Sequence, residues 1–181
     1  HRVPAPLIKV NRTDGSLMPW PAERWEAIGP VSYRLHLRRD VRFSDGAPFS
    51  SADVLFTFSA LYDERIDSAL ASGLRVGDRP LRVSAPDAHT ILVEFPEAYG
   101  PGLAMLDVVP ILPGHRLETA FAEGRFAQAW SASTPPAEIV GLGPFVVDEV
   151  RAGESIAFAR NPHYFRTADD GGTLPRAERL I

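Results

Sequence analysis

The sequence predicts a mixed α/β fold of the α+β kind, built from antiparallel hairpins and short helices. One segment alternates apolar and polar residues, as a half-buried strand does. A second segment carries an apolar stripe at helical spacing behind a serine that can cap a helix. In addition, 14 glycines and 17 prolines divide the 181 residues into short elements.

The composition is that of an ordinary globular chain and excludes several classes of protein. Hydrophobic residues make up 45% and charged residues 23%, which is enough for a packed core. The formal charge of −4 provides no basic field for a polyanion, so nucleic-acid binding is disfavoured. The absence of cysteine excludes disulfides and thiolate metal sites. No apolar run approaches the roughly 20 residues of a membrane-spanning helix.

A strand, a turn and a helix follow one another in the first half of the chain. Residues 31–38 alternate without error, and Val41-Arg42-Phe43 continues the alternation up to a turn at Asp45-Gly46. After Pro48, the Ser50 hydroxyl can cap a helix, and Asp53 suits its first turn. We therefore expect a helix from about residue 51 to about residue 63, with an inward stripe formed by Val54, Phe58, Leu61 and Tyr62.

Two hairpins and two short helices are predicted in the second half. The first hairpin joins residues 81–83 and 89–95 through a turn at Pro86-Asp87, and short helices follow at 103–106 and 114–122. The second hairpin joins residues 145–150 and 155–160 through Ala152-Gly153, with Ile156 and Phe158 on one face. Residues 166–181 form a polar tail without periodicity.

The residues give little sign of catalysis or of a metal centre. The five histidines stand singly, and Asp169-Asp170 lies in a glycine-rich stretch typical of a solvated loop. No dinucleotide or phosphate-binding motif occurs. A hydrolase whose fold assembles a triad from a serine, His115 and an aspartate stays open as a lower-ranked alternative. Trp20, Trp25 and Trp130 can stack on a ligand, although packing in the core is the favoured role.

Five stretches together resemble a known family. Residues 33–54 resemble the signature of the oligopeptide- and dipeptide-binding proteins, which are the family 5 solute-binding proteins of ABC importers. Residues 14–26, 111–115, 141–145 and 160–165 resemble further motifs of that family in the same order. Three departures occur, since Gly114 replaces a lysine, Leu142 a threonine and Phe165 a tryptophan.

The resemblance implies the fold and the organisation of the chain. The chain would be a single fragment, 1–181, of the N-terminal lobe of a periplasmic binding protein-like fold of the peptide-binding type. Within it, 31–140 would be a subdomain with the strand-turn-helix motif, 141–165 a hairpin returning toward the central sheet, and 166–181 the tail.

The resemblance also implies a function without catalysis or cofactor. The expected role is solute binding for an ABC permease on the extracytoplasmic side, with peptide favoured over nickel chelates, oligosaccharides and haem. The alternative is the ligand-sensing domain of a transcription regulator, because some regulators carry such a domain.

Two sets of candidate residues follow. Tyr99, Met105 and Trp130 are the candidates for ligand binding. The residues expected to form the structural motif are Asp45, Gly46, Pro48, Ser50, Asp53, Gly141, Gly143, Pro144, Asn161 and Pro162. Glycines 141 and 143 would permit close approaches that larger residues block.

Overall fold

A computed structural model describes residues 2–66, 68–131, 134–151 and 153–181 of the chain. The strands in these residues are β1 (Ile8–Val10), β2 (Leu17–Pro19), β3 (Ala22–Ala27), β4 (Ser32–Leu37), β5 (Arg75–Val76), β6 (Arg79–Pro80), β7 (Arg82–Asp87), β8 (Thr90–Glu94), β9 (Phe145–Arg151), β10 (Ser155–Arg160) and β11 (Arg179–Leu180). The α-helices are α1 (Ser51–Leu61), α2 (Ala69–Gly73), α3 (Gly114–Ala122) and α4 (Phe126–Ala129), and 3₁₀ helices lie at Glu64–Ile66, Gly102–Val108 and Pro136–Glu138. Antiparallel sheets with short helices confirm the predicted α+β class.

The central sheet has four antiparallel strands in the order β3-β4-β8-β7. The strand predicted at residues 31–38 is β4, in which Leu35 lies opposite Ile91 and Tyr33 opposite Val93 of β8. Directly opposed residues of an antiparallel pair point to the same face, and Leu35, Ile91 and Val93 are all buried. The alternation therefore identified the buried face of β4 correctly.

The turn between β7 and β8 was predicted two residues too early. Pro86 and Asp87 belong to β7, and the chain turns at Ala88 and His89. β7 is an edge strand whose register shifts between Ser84 and Asp87. A bulged edge strand tolerates proline because the missing N–H is not needed on the open side.

The segment after β4 is a tight loop. β4 ends at Leu37, and the expected extension of the strand at residues 41–43 is reduced to one bridge between Arg42 and Pro48. The chain reverses at Asp45-Gly46, where Gly46 adopts φ +86°. Nearby, the N–H of Phe43 donates to the carbonyl of Ala47 at 2.8 Å. The strand prediction at 41–43 is therefore wrong, whereas the turn prediction is confirmed.

Helix α1 begins at the predicted cap and ends two residues earlier than predicted. The Ser50 hydroxyl accepts the Ala52 N–H at 3.3 Å, and the Asp53 carboxylate accepts the Ser50 N–H at 2.9 Å. This reciprocal pair is a capping box. The predicted residues Val54, Phe58 and Leu61 are buried in the main core.

A second face of α1 is also buried, which the predicted stripe did not include. Phe56 is 6% exposed, and its ring lies edge-on to Phe121 of α3 with a centroid distance of 5.6 Å. Phe126 of α4 contacts the same ring at 6.4 Å. Helix α1 is therefore covered on one side by the core and on another by α3 and α4.

The second predicted hairpin is formed by β9 and β10, and β11 completes a sheet in the order β11-β10-β9. Ala152 of the predicted turn lies outside the described residues, and Gly153 has φ +76°. β11 pairs with β10 antiparallel, with Leu180 opposite Phe158. The end of the polar segment 166–181 thus carries a strand that its composition did not predict.

The N-terminal segment is joined by hydrogen bonds to the start of β3 and to the segment before α3. The carbonyl of Ala5 accepts the Ile111 N–H at 3.0 Å, and that of Leu7 accepts the Ala22 N–H at 2.9 Å. The ammonium of Lys9, in the β1–β2 hairpin, lies 3.4 Å from the carboxylate of the buried residue Asp107. The sequence analysis predicted neither this hairpin nor this ion pair.

Candidate functional site

Three of the motif segments meet at one place, which we call the motif junction and define as residues 44–47, 141–145 and 161–165. The N–H of Ser44 donates to the carbonyl of Gly141 at 3.0 Å, and the N–H of Gly141 donates to the Ser44 hydroxyl at 3.2 Å. The buried Asn161 donates from Nδ2 to the carbonyl of Gly143 at 2.8 Å. Hydrogen bonds to and from the backbone therefore join Ser44 to Gly141 across 97 positions and Asn161 to Gly143 across 18.

Asp45 ties the junction to the start of α3. Its carboxylate lies 2.9 Å from both His115 Nε2 and Arg116 Nε. Partial burial acts to raise the pKa of Asp45, but hydrogen bonds from His115, the Ala47 backbone and Arg116 outweigh it and hold the pKa below its usual value. Asp45 is therefore an ionised anchor for the loop near neutral pH.

Asp53 lies at the start of both α1 and α3. One carboxylate oxygen accepts the Ser50 N–H at 2.9 Å, and the other accepts the Gly114 N–H at 3.0 Å. Burial raises the pKa of Asp53, although these two backbone donors act in the opposite direction. The carboxylate satisfies N–H groups of two helix starts that have no partner within their helices.

Gly141 and Gly143 lie directly against the N-terminal segment. The N–H of Gly143 donates to the carbonyl of Val3 at 2.7 Å, and that of Phe145 donates to the carbonyl of Arg2 at 3.0 Å. A Cβ atom on Gly143 would lie 2.4 Å from the carbonyl oxygen of Arg2, and one on Gly141 would lie 2.3 Å from that of Val3. Larger residues do not fit at either position.

The remaining motif residues lie at the edges of this arrangement. Pro48 forms the bridge with Arg42 in the tight loop. The carbonyl of Pro144 accepts the N–H of Asn161 at 2.9 Å. Pro162, which follows Asn161, is exposed. The structure thus brings the residues of the expected motif together around two loops and the start of a helix.

The aromatic residues of the 160–165 motif pack on the N-terminal part of the chain. The rings of Trp20 and Phe165 lie edge to face at 6.0 Å, and the guanidinium of Arg166 lies 4.2 Å above the Trp20 ring. The guanidinium of Arg38 covers Phe165 at 5.6 Å. These contacts give Trp20 a packing role, and Trp25 also packs against the core from β3.

The three ligand candidates do not come together. Tyr99 is 39% exposed and stacks on Phe95 at 6.4 Å, beside a cavity of about 240 Å³ that contains neither Met105 nor Trp130. Met105 packs against the main core. Trp130 is half-buried and donates its indole N–H to the carbonyl of Glu138 at 3.3 Å. Of the three, Tyr99 alone is classed as exposed, at 39%.

Among the described residues, no serine completes a nucleophilic triad with Asp45 of the junction and His115. His115 contacts Asp45 and packs its ring 5.2 Å from that of Phe43, and no serine is among its hydrogen-bond partners in the described residues. The hydroxyls of Ser44 and Ser50 accept backbone N–H groups instead. The described residues also contain no group of three or more His, Asp or Glu side chains that could hold a metal ion.

Among the elements that the structure describes, no helix combines the length and the apolar character needed to cross a bilayer.

Sequence reasoning missed several residues that organise the site. The N-terminal carbonyls of Arg2 and Val3 carry no signal, because any residue supplies a carbonyl. One of the two roles of Asp53 was predicted from the sequence, because its position in the first turn of α1 is a local feature. Its bond to Gly114 was not predicted, because it spans 61 positions. The pairing of Asp45 with His115 spans 70 positions and follows only from the fold.

Comparison with known proteins identifies the family. Residues 16–181 match the bacterial extracellular solute-binding proteins, family 5, in the part described as the middle. The periplasmic oligopeptide-binding protein OppA of Salmonella typhimurium is 29% identical over 175 residues, which are 88% of this chain and 31% of that protein.

Solved structures share the fold. AppA from Clostridium difficile is similar with a TM-score of 0.77 and 28% identity, over 98% of this chain and 34% of that one. The mannohexaose-bound oligopeptide-binding protein of Thermotoga maritima is similar with a TM-score of 0.70 and 29% identity, over 90% of this chain and 28% of that one. The chain thus spans about a third of the length of these relatives. Because the family match extends from residue 16 to residue 181 and the fold agrees with it, the chain belongs to the bacterial extracellular solute-binding proteins of family 5.

Proposed function

We propose that this chain is part of the first lobe of the solute-binding component of an ABC importer and has no catalytic activity of its own. The family match over residues 16–181 is the observation that carries the proposal. The hydrogen bonds of the motif junction and of Asp53 support it, because Asp45, Asp53 and Asn161 are engaged in holding loops and helix starts. Such a component works outside the cytoplasm and delivers its solute to a membrane permease.

The binding mechanism that we propose is closure of two lobes around the ligand. Contacts that both lobes make with a solute favour the closed form over the open form. A chain that spans about a third of its relatives' length supplies only part of these contacts. The relatives named above are binding proteins by name, one of them of an ABC transporter, and they lend no support to the alternative of a transcription regulator.

Peptide is the ligand class that we propose. OppA of Salmonella typhimurium is an oligopeptide-binding protein by name, whereas the Thermotoga maritima protein is bound to mannohexaose. Within this chain, we propose Tyr99 as the residue that contacts the ligand, because its ring is 39% exposed. We rank Met105 and Trp130 lower, since one packs on the core and the other is hydrogen-bonded to Glu138.

Titration calorimetry with dialanine, a pentapeptide pool and mannohexaose tests the proposal. We expect the protein encoded by the whole reading frame to bind peptide with a dissociation constant in the micromolar range or tighter, at about −8 kcal/mol or below. The 181-residue chain should bind at least about 100-fold more weakly, since a 100-fold loss corresponds to about 2.8 kcal/mol of missing contacts.

Three outcomes would contradict parts of this proposal. Saturable sub-micromolar binding of peptide by the 181-residue chain would contradict the need for two lobes. Binding of mannohexaose without binding of any peptide would contradict the ligand class. Unchanged peptide affinity of the whole protein after Tyr99→Ala, with Val108→Ala as the exposed control, would remove Tyr99 from the ligand contacts.

A further inference from the structure

A cavity of about 180 Å³ lies between α1, α2, α4 and the segment that precedes α3. We call it the helix cavity and define it by five of the residues that line it, which are Ala60, Leu61, Leu70, Val109 and Phe126. None of the three ligand candidates is among its described lining residues. The helix cavity is therefore a different place from the candidate contacts described above.

The lining of the helix cavity is almost entirely apolar. None of its described lining residues carries a charge, and only Thr57 and Ser68 have polar side chains. The Thr57 hydroxyl donates to the carbonyl of Asp53 at 2.7 Å and accepts the Leu112 N–H at 2.9 Å, so it is already satisfied. Ser68 is half-buried at the start of α2. Because a buried water molecule needs about two to four polar partners, this lining favours an apolar occupant over water.

The helix cavity extends from the core to the surface of the molecule. Ala60 is 1% exposed, and Leu61 and Val109 are also buried. Leu70 of α2 lines the same cavity and is 37% exposed. A small molecule can therefore enter beside Leu70 without separating the residues of the main core.

Two walls of the helix cavity are very short helices. α2 has five residues and α4 has four, and neither helix start has a hydrogen bond from a capping side chain among the described residues. Helices of this length are not stable alone, so their positions depend on packing. Leu70 and Phe126 would each gain packing contacts from an apolar molecule in the cavity.

The volume of the helix cavity suits a single small apolar group. An engineered cavity of about 150 Å³ lined by leucine, isoleucine and phenylalanine side chains stays dry and binds benzene. We propose that the helix cavity binds one uncharged apolar group of the size of a benzene ring or a leucine side chain. The group belongs either to a separate small molecule or to a side chain of the solute that the protein binds. This inference rests on the lining and the volume of the cavity, so it stands independently of the proposed function.

Methyl NMR spectroscopy of the 181-residue chain titrated with benzene tests the proposal. We expect saturable binding with a dissociation constant of about 1 mM or tighter, because the ring loses its contact with water. The methyl resonances of Leu61, Leu70 and Val109 should shift, whereas those of Leu35 in β4, outside the lining, should not. Benzoate and benzylammonium carry the same ring with a charge, and they should bind at least tenfold more weakly, because an unpaired charge is costly to bury.

Two variants test whether benzene occupies this cavity. Ala60→Leu fills the cavity from α1 and should weaken benzene binding at least tenfold. Ala52→Leu is the matched control, because it adds the same atoms at an exposed position of the same helix and should leave the binding unchanged. Leu70→Asp places a charge at the exposed side of the cavity, should also weaken binding at least tenfold, and serves where Ala60→Leu folds poorly.

Three results would overturn the proposal. They are the absence of saturable benzene binding up to the solubility of benzene, benzoate binding as tight as benzene binding, and benzene binding that neither Ala60→Leu nor Leu70→Asp weakens.

Peptide binding by the protein encoded by the whole reading frame distinguishes the two sources of the apolar group. If a peptide side chain supplies the group, Ala60→Leu lowers the affinity for alanyl-leucyl-alanine at least tenfold and leaves that for trialanine unchanged. If both affinities are unchanged while benzene binding is lost, the group belongs to a separate apolar molecule. A wild-type protein that binds benzene but neither peptide would contradict the proposed ligand class and not the proposal for the helix cavity.

Discussion

Asp53 fastens the starts of two helices to each other. Its two carboxylate oxygens accept different backbone N–H groups, from Ser50 and from Gly114. An asparagine has the same shape but only one acceptor oxygen, so it can satisfy only one of these donors. The carboxylate is therefore required for its pair of acceptors and not merely for its charge.

We predict that Asp53→Asn lowers the free energy of unfolding by about 1–3 kcal/mol, which is the usual cost of one unsatisfied buried donor. Chemical denaturation measures the change. The control is Asp40→Asn, which disturbs an exposed ion pair with Arg38 and should change stability by at most about 0.5 kcal/mol. Equal losses in the two variants would contradict the bridging role of Asp53.

The effect of Asp53 should depend on pH with a definite sign. Burial raises its pKa above the unfolded value of 3.8, so between the two pKa values the folded chain binds the proton more readily. The contribution of Asp53 to stability is therefore greatest below pH 3.8 and decreases as pH rises through the folded-state pKa. The stability difference between wild type and Asp53→Asn should narrow from pH 4 to pH 7, and a widening difference would contradict the raised pKa.

At the scale of elements, α1 contributes side chains to two groups of packed residues, the main core and the aromatic group around Phe56. Val54, Phe58 and Leu61 face the main core, while Phe56 faces Phe121 from the other side. β4 supplies Leu35 and Leu37 to the core and turns His36 toward the polar face, where its ring lies 3.5 Å from Glu26. The helix and the strand therefore form one packed unit with a clear inside and outside.

We predict that Phe58→Ala costs about 3–5 kcal/mol of stability, because the ring is 5% exposed and its removal leaves a cavity. The change His36→Ala, on the polar face of β4, should cost at most about 0.5 kcal/mol. Denaturation midpoints of the two variants provide the measurement. Similar midpoints for both would mean that the inward faces of β4 and α1 are assigned incorrectly.

For the molecule as a whole, the contact between the N-terminal segment and residues 141–145 joins regions that are about 140 positions apart in the sequence. We predict that Gly143→Ala destabilises the protein by about 1–3 kcal/mol, as overpacking does, because the added Cβ would lie 2.4 Å from the carbonyl oxygen of Arg2. Thermal unfolding monitored by circular dichroism measures the loss. The control Gly100→Ala adds its Cβ to open space and should leave the melting temperature nearly unchanged.

A second variant separates the steric cause from other effects. Deleting residues 1–3 removes the obstructing carbonyls of Arg2 and Val3, so Gly143→Ala should cost much less in the shortened chain than in the intact one. An equal cost in both backgrounds would show that the clash with the N-terminal segment is not the cause.

Features that depend on residues close together in the sequence were predicted, whereas features that depend on residues far apart were not. The cap formed by Ser50 and the alternation of β4 are local patterns, and both were predicted. The sequence analysis predicted that Gly143 permits a close approach of another part of the chain. It did not identify the partner, Val3, because this residue lies 140 positions away and contributes only its backbone carbonyl. Pro86 was misinterpreted because the same residue suits both a turn and a bulged edge strand. The residues that contact a ligand could not be predicted, because in the two-lobed arrangement proposed above they come partly from polypeptide outside this chain.

The ion pair between Lys9 and Asp107 allows the opening of the N-terminal hairpin to be measured through Lys9 itself. Lys9 is the sole lysine of the sequence, and its side chain is only 21% exposed. A lysine-specific protease therefore has a single cleavable bond, and an acylating reagent has a single side-chain amine. Cleavage after Lys9 requires β1 to separate from β2, with which it is paired, whereas the partly exposed amine can be acylated in the folded protein. The rate of a single cut thus measures how often this corner of the fold opens, without any engineered label.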